Sequence, residues 1–181
     1  MQEKPCVASL TVKTSHVLPS DTNGHGTLFG GQLMAYIDDV AAISATRHAR
    51  KLVVTASIDS VDFLYPVKEG DTICLEAFVT WAHKTSMEVF VKAVTEHLIS
   101  GDRKVCATAY VTMVAIDADN NPSEVPGVYP ETEEEKWLQK EAVERANHRK
   151  ERRKKSKEMA RTFGTSFPWN ETSRFGERPS N

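Results

Sequence analysis

The sequence predicts an α+β domain in which one long helix is wrapped by a curved antiparallel sheet, followed by a C-terminal helix. Three observations predict it. A nearly uncharged stretch with helical spacing follows a single strand-like run, four long strand-like runs come next without a helical pattern among them, and the links between those runs are short. Short links impose antiparallel pairing, because a parallel pair needs a crossover of about a dozen residues or more. A doubly wound fold, which alternates helices and strands, is excluded by the same order.

The elements follow in chain order. Cys6 to Thr14 alternates loosely and reads as a strand, and Pro19 to Gly26 is a loop dense in turn formers. Gly31 to Ala49 sets Leu33, Ile37, Val40, Ala41 and Ser44 at helical spacing; Asp38 and Asp39 are its acidic residues, and Arg47 and His48 fall in its last turns. A helix with so little charge is expected to be buried on most sides. The strand runs are Leu52 to Leu64, Thr72 to Trp81, Ser86 to Ile99 and Lys104 to Asp117. In the second of them, Ile73, Leu75, Ala77, Val79 and Trp81 share one face and Cys74, Glu76 and Thr80 the other, the period of a half-buried strand. An uncharged helix held inside a curved antiparallel sheet is the hotdog fold.

Length and charge divide the chain. Its 181 residues suit one domain with an appendage. Residues 1–130, the expected domain, carry 10 basic and 15 acidic residues, whereas 131–161 carry 11 basic and 8 acidic. The second segment opens on Thr132 to Glu135, a capping-box pattern, and reads as a charged helix whose part beyond Asn147 is too polar to dock by burial. Residues 162–181 read as a flexible tail. No membrane span or secretory leader is visible, so the cytoplasm is the expected compartment. Cys6, Cys74 and Cys106 are odd in number and far apart, which fits reduced thiols rather than disulfides or a metal site. No metal and no cofactor is expected.

One segment carries the chemistry. Asn23 to Asp38 brings an amide, a turn-rich loop, a helix N-terminus and a helical carboxylate within 16 residues. Free backbone N–H groups at a helix start, approached closely beside Gly30 and Gly31, can polarise a carbonyl or stabilise the oxyanion formed when it is attacked. Asp38 lies two turns inside an apolar helix, where an ionised carboxylate is costly without a partner or a wet cavity. Asp39 is its competitor by adjacency but points about 100° away, so the two cannot share a role.

Pro19-x-x-x-Asn23, Leu28-Phe-Gly-Gly31, Ile37-Asp38, Val61-Asp-Phe63 with Pro66, Gly70-Asp71, Lys84-Thr-Ser86 and Val111-Thr-Met-Val114 resemble the hotdog acyl-CoA thioesterases, the family of the cytosolic acyl-CoA hydrolases. The likeness runs from about Val17 to Val128. It implies hydrolysis of acyl-CoA to free acid and coenzyme A, the coenzyme being part of substrate and product. By position it implies Asn23 and Asp38 as catalytic residues from two subunits, Asp38 as general base or nucleophile, with Gly30 and Gly31 supplying oxyanion amides. It further implies Lys84, Thr85 and Ser86 at the coenzyme, and an assembly of at least a dimer, with a hexamer favoured. A hotdog dehydratase would want a catalytic His at the start of the central helix, which is absent; His25 reads as a surface or local hydrogen-bonding residue. The rival from another class is a non-catalytic acyl-CoA sensor whose basic segment, Arg149 to Lys157, binds a protein or nucleic acid. That segment lacks stacking aromatics and a helix-turn-helix pattern, which disfavours nucleic acid.

Overall fold

The structure, a computed structural model, describes residues 3–163. It divides into two compact units, with the break after Val143.

In the first unit, β1 (Lys4–Pro5) pairs in parallel with β7 (Val128–Tyr129), and β2 (Thr11–His16) leads through a loop into α1 (Gly30–Ala49). Four long strands follow: β3 (Leu52–Phe63), β4 (Thr72–His83), β5 (Ser86–His97) and β6 (Asp102–Ile116). They form with β2 one antiparallel sheet of order β2-β4-β5-β6-β3. A short helix, α2 (Glu133–Lys140), closes the unit, and α3 (Ala142–Thr162) runs from its end into the second. The expected α+β architecture is present: a long helix against a five-stranded antiparallel sheet, and helix at the C-terminal end.

The core forms because the two periods meet. Leu33, Ile37, Val40, Ala41, Ala45 and Ala49 on α1 are buried against Ile73, Leu75, Ala77 and Val79 of β4 and their neighbours Val89, Val91, Ala109 and Val111 on β5 and β6. Small residues on the helix let it lie close to the sheet, and each fully buried Leu, Ile or Val contributes about 1.5–3 kcal/mol. The helix ends where Arg50 turns left-handed at φ 55, its N–H bonding Thr46 O at 2.8 Å. Lys4 Nζ donates to His48 O at 2.6 Å, placing a cation at the negative end of the helix dipole.

Four expectations are corrected. Cys6–Ser9 is a 3-10 turn rather than strand: Ser9 Oγ donates to Cys6 O at 2.7 Å and accepts from Val79 N at 2.8 Å, so a buried hydroxyl takes the place of a strand pairing. In β4 the register shifts between Val79 and Trp81, so Thr80 is buried and Trp81 leaves the face of Val79. The C-terminal helix is not continuous; it breaks at Glu141, whose N–H turns back to Gln139 O. The α1 helix is not covered on most sides within the chain, for Met34, Asp39 and Ile43 are exposed. β3 is likewise an unpaired edge bearing exposed Leu52, Val54, Ile58 and Phe63.

At α2 the capping box is formed: Glu135 N donates to Thr132 Oγ1 at 3.2 Å and Thr132 N to Glu135 Oε2 at 2.9 Å. In the second unit, residues 147–162 of α3 are exposed apart from half-buried Arg149. The expected tail at 162–181 lies outside the described residues from 164 onward.

Candidate active site

The loop before α1 is built by Asn23. Its Oδ1 accepts from His25 N at 2.9 Å and Thr27 N at 3.4 Å, and its Nδ2 donates to Thr27 Oγ1 at 3.0 Å. Two backbone donors on one amide atom fix that atom as the oxygen, so the amide orientation is determined. One hydrogen of Nδ2 is left without an acceptor among the described residues. Backbone bonds close the loop: Asn23 N to Thr27 O at 2.8 Å, with Gly26 at φ +69 making the turn. The loop is stitched to the segment after β3 by Leu28 N to Val67 O at 2.8 Å and Glu69 N to Gly26 O at 3.1 Å. His25 is exposed, as expected for a surface residue.

Phe29 starts α1 as its N-cap but offers no side-chain cap, and its carbonyl accepts from Gln32 N and Leu33 N at 2.9 and 3.1 Å. The amides of Gly30 and Gly31, in the first turn where no intrahelical acceptor precedes them, donate to no group among the described residues. They form a positive helix end. A side chain at Gly31 is impossible without moving the Phe29 ring, which a Cβ would meet at 2.4 Å, while at Gly30 a Cβ would rest against Phe63 at 3.6 Å. A groove of about 370 Å³ opens beside Gly30, lined by Leu28, Leu33, Phe63, Leu64 and Val67.

Asp38 is half-buried on the outer side of α1, and its Oδ1 accepts from Thr55 Oγ1 of β3 at 2.7 Å. Asp39 instead makes a surface ion pair with Lys13 at 2.7 Å. The two neighbouring carboxylates therefore have separate surroundings, as helix geometry required. Thr55 was not foreseen. It is an exposed residue of β3, paired with Met113 of β6, and nothing in its local pattern marks it out.

Within one chain these parts stay separate. No hydrogen bond joins Asn23 to Asp38. Gly31 and Asp38, seven residues apart, lie on nearly the same helix face but about 10 Å apart along its axis. Lys84 and Thr85 form the tip of the β4–β5 hairpin, Lys84 at φ 40, with their carbonyls held by Val125 N at 2.7 Å and Ala115 N at 2.9 Å. Ser86 Oγ donates back to His83 O at 3.3 Å, and the exposed Lys84 ammonium has no carboxylate within 4.0 Å among the described residues. None of these three residues bonds Asn23 or Asp38. Among the described residues no three His, Cys, Asp or Glu side chains are grouped to hold a metal ion. Burial pushes the Cys6 thiol up to about 12 and that of Cys106 up to about 11, so both are poor nucleophiles.

Comparison with known proteins meets this geometry. A thioesterase superfamily signature matches residues 25–101. A Bacillus subtilis protein named an uncharacterized acyl-CoA thioester hydrolase is 56% identical over 164 residues, which is 91% of this chain and 95% of that protein. The structure of an acyl-CoA hydrolase from Staphylococcus aureus, in complex with butyryl-coenzyme A, coenzyme A and coenzyme A disulfide, is 45% identical. It superposes with a TM-score of 0.85, covering 88% of this chain and 98% of that one. Alanine variants of that enzyme at an aspartate, a threonine and an asparagine have also been solved. An apo hexameric acyl-CoA thioesterase is 48% identical at a TM-score of 0.82, over 84% of this chain and 97% of that one. With the sheet, the central helix and the Asn23 to Asp38 segment all in place, the chain belongs to the hotdog thioesterase superfamily.

Proposed function

We propose that this protein hydrolyses acyl-CoA thioesters to free acid and coenzyme A, in a site assembled from two copies of the chain. The observation that carries the reading is the separation inside α1. The free amides that suit an oxyanion and the carboxylate that suits a base or nucleophile are about 10 Å apart along one helix, too far to serve a single thioester carbonyl. Two helices running antiparallel across a two-fold axis bring the start of one beside the middle of the other. The surface for that pairing is the unpaired β3 edge, with exposed Leu52, Val54, Ile58 and Phe63, together with Met34 and Ile43 on the bare face of α1.

In this reading Thr55 holds one oxygen of Asp38 and leaves the other to act. Asp38 takes a proton from water as the oxygen attacks the thioester carbon, the negative charge forms on the carbonyl oxygen at the Gly30 and Gly31 amides, and collapse expels the coenzyme thiolate. The same position serves the nucleophilic route, in which Asp38 attacks and water opens the mixed anhydride. Asn23 of the partner chain orients the water or carbonyl through its free N–H. The intervals between the asparagine, aspartate and threonine replaced in the Staphylococcus aureus enzyme are fifteen and seventeen residues, the same as those separating Asn23, Asp38 and Thr55. Lys84, Thr85 and Ser86 are assigned to the coenzyme, Lys84 as the charged group.

The assembly is a dimer at least, and a hexamer by likeness to the hexameric relative. A cytoplasmic setting suits three cysteines that are all free thiols. The test is release of free thiol from butyryl-CoA by the purified full chain. Turnover that falls by about two orders of magnitude or more in Asp38→Asn, as expected for loss of a base or nucleophile, supports the reading. Binding of acyl-CoA without thiol release would establish the sensor instead.

A further inference from the structure

A second cavity, of about 340 Å³, adjoins the apolar groove beside Gly30; Tyr65 and Pro66 line both. Its chemistry differs. Lys68, Thr95, His97 and Lys104 bring donors to it, against the carboxylates of Asp71 and Asp102. Those carboxylates have donors of their own: Asp71 Oδ2 accepts from Lys68 N at 3.2 Å, and Asp102 Oδ2 from Ser100 Oγ at 2.8 Å.

The lysines, by contrast, lack acidic partners among the described residues. Neither Lys68 nor Lys104 has a carboxylate within 4.0 Å among the described residues, and the Lys104 ammonium lies over the Tyr65 ring, 5.6 Å from its centre. Thr95 is 8% exposed, and its Oγ1 is buried with no hydrogen-bond partner among the described residues. His97 Nδ1 lies 3.1 Å from Ser100 Oγ and 3.3 Å from Ser100 N, so this ring nitrogen is engaged within its own loop. The cavity is also tied to the candidate catalytic loop, since Lys68 bridges Thr27, the residue that holds the Asn23 side chain.

We propose that this cavity is a subsite for an anionic group of the acyl-CoA substrate, held by the ammonium groups of Lys68 and Lys104, with Thr95 and His97 completing its wall. The proposal rests on the acyl-CoA reading of the groove beside Gly30. A phosphate of the coenzyme and a carboxylate at the far end of the acyl group share the required chemistry, a compact anion that accepts several charge-assisted hydrogen bonds.

The test compares the full-length protein with its Lys68→Gln/Lys104→Gln double variant on three substrates: butyryl-CoA, the butyryl thioester of pantetheine, which carries no phosphate, and succinyl-CoA. The expected result is a KM about tenfold higher in the variant with kcat unchanged, as fits the loss of charge-assisted contacts to a bound group. If the anion is a coenzyme phosphate, the rise occurs with both CoA thioesters and is absent for the pantetheine thioester. If it is the acyl carboxylate, the rise is confined to succinyl-CoA. Equal KM values for variant and wild type on all three substrates, or an equal rise on all three, would overturn the proposal. Calorimetric titration with coenzyme A and succinyl-CoA repeats the comparison without turnover. A wild-type protein that binds about tenfold tighter yet releases no thiol would count against the hydrolase reading and leave the subsite standing.

Discussion

Replacing Thr55 by Val removes one hydroxyl and keeps the side chain's shape and β-branching. In the native protein that hydroxyl donates to Asp38 Oδ1 at 2.7 Å across the gap between β3 and α1. Hydrogen bonds to charged groups are worth about 1.5–3 kcal/mol, which in a transition state corresponds to about tenfold to about a hundredfold in rate. Thr55 is exposed and Asp38 half-buried in the single chain, so water can take over part of the hydroxyl's role. The lower end, a kcat about tenfold down, is therefore expected. In the proposed site Thr55 acts through Asp38 rather than on the coenzyme, so KM should stay near the wild-type value. Thr55→Ser restores the donor and should recover most of kcat, whereas a purely structural role for Thr55 would leave Val equal to or better than Ser in a strand. The assay is steady-state thiol release from butyryl-CoA, with melting temperatures as a control. A Thr55→Val protein with wild-type kcat would refute the view that this bond orients Asp38.

Other consequences can be checked separately. Asp39→Asn breaks an exposed ion pair with Lys13, worth about 0–1 kcal/mol, so turnover should stay within about twofold of wild type, in contrast to Asp38→Asn. A thiol reagent added to native protein should titrate about one cysteine, Cys74, because Cys6 and Cys106 are buried with thiols raised to about 12 and about 11; all three should react after denaturation. His48 is buried, its Nε2 bonds Pro126 O at 3.0 Å and its Nδ1 has no partner among the described residues. Burial holds it below the usual 6.5, so the unfolded chain takes up the proton first. Stability is then full above pH about 6.5 and falls as the pH drops below it. Urea midpoints between pH 7 and 5 should decline in wild type and decline less in His48→Gln.

Much of the fold was legible because its two periods are clean. Apolar residues of α1 recur at helical spacing with little charge, and β4 alternates strictly from Ile73 to Val79, so element type and antiparallel pairing followed from pattern and link length. The failures have local causes. A buried Ser9 hydroxyl that accepts from Val79 N turns an alternating run into a 3-10 turn, and a bulge at Thr80 reverses which side chains face in. Neither tertiary bond is visible in single-residue propensity. In the candidate site, Asn23, the glycine pair and Asp38 stood out by composition and resemblance. Thr55 did not, since its role depends on which residue of β3 comes to lie across from Asp38. The exposed apolar faces of β3 and α1 were hidden for the opposite reason: a pattern that reads as burial does not say whether the covering surface belongs to the same chain.

The proposed site shared between subunits is tested most directly by mixing Asn23→Ala and Asp38→Asn proteins, each expected to be nearly inactive alone, and allowing subunits to exchange. Random pairing makes half the dimers hybrid, and each hybrid holds one site with both residues intact, so about a quarter of wild-type activity should return. Hybrids verified by mass or tag that recover no activity would contradict a site built from Asn23 of one chain and Asp38 of its partner.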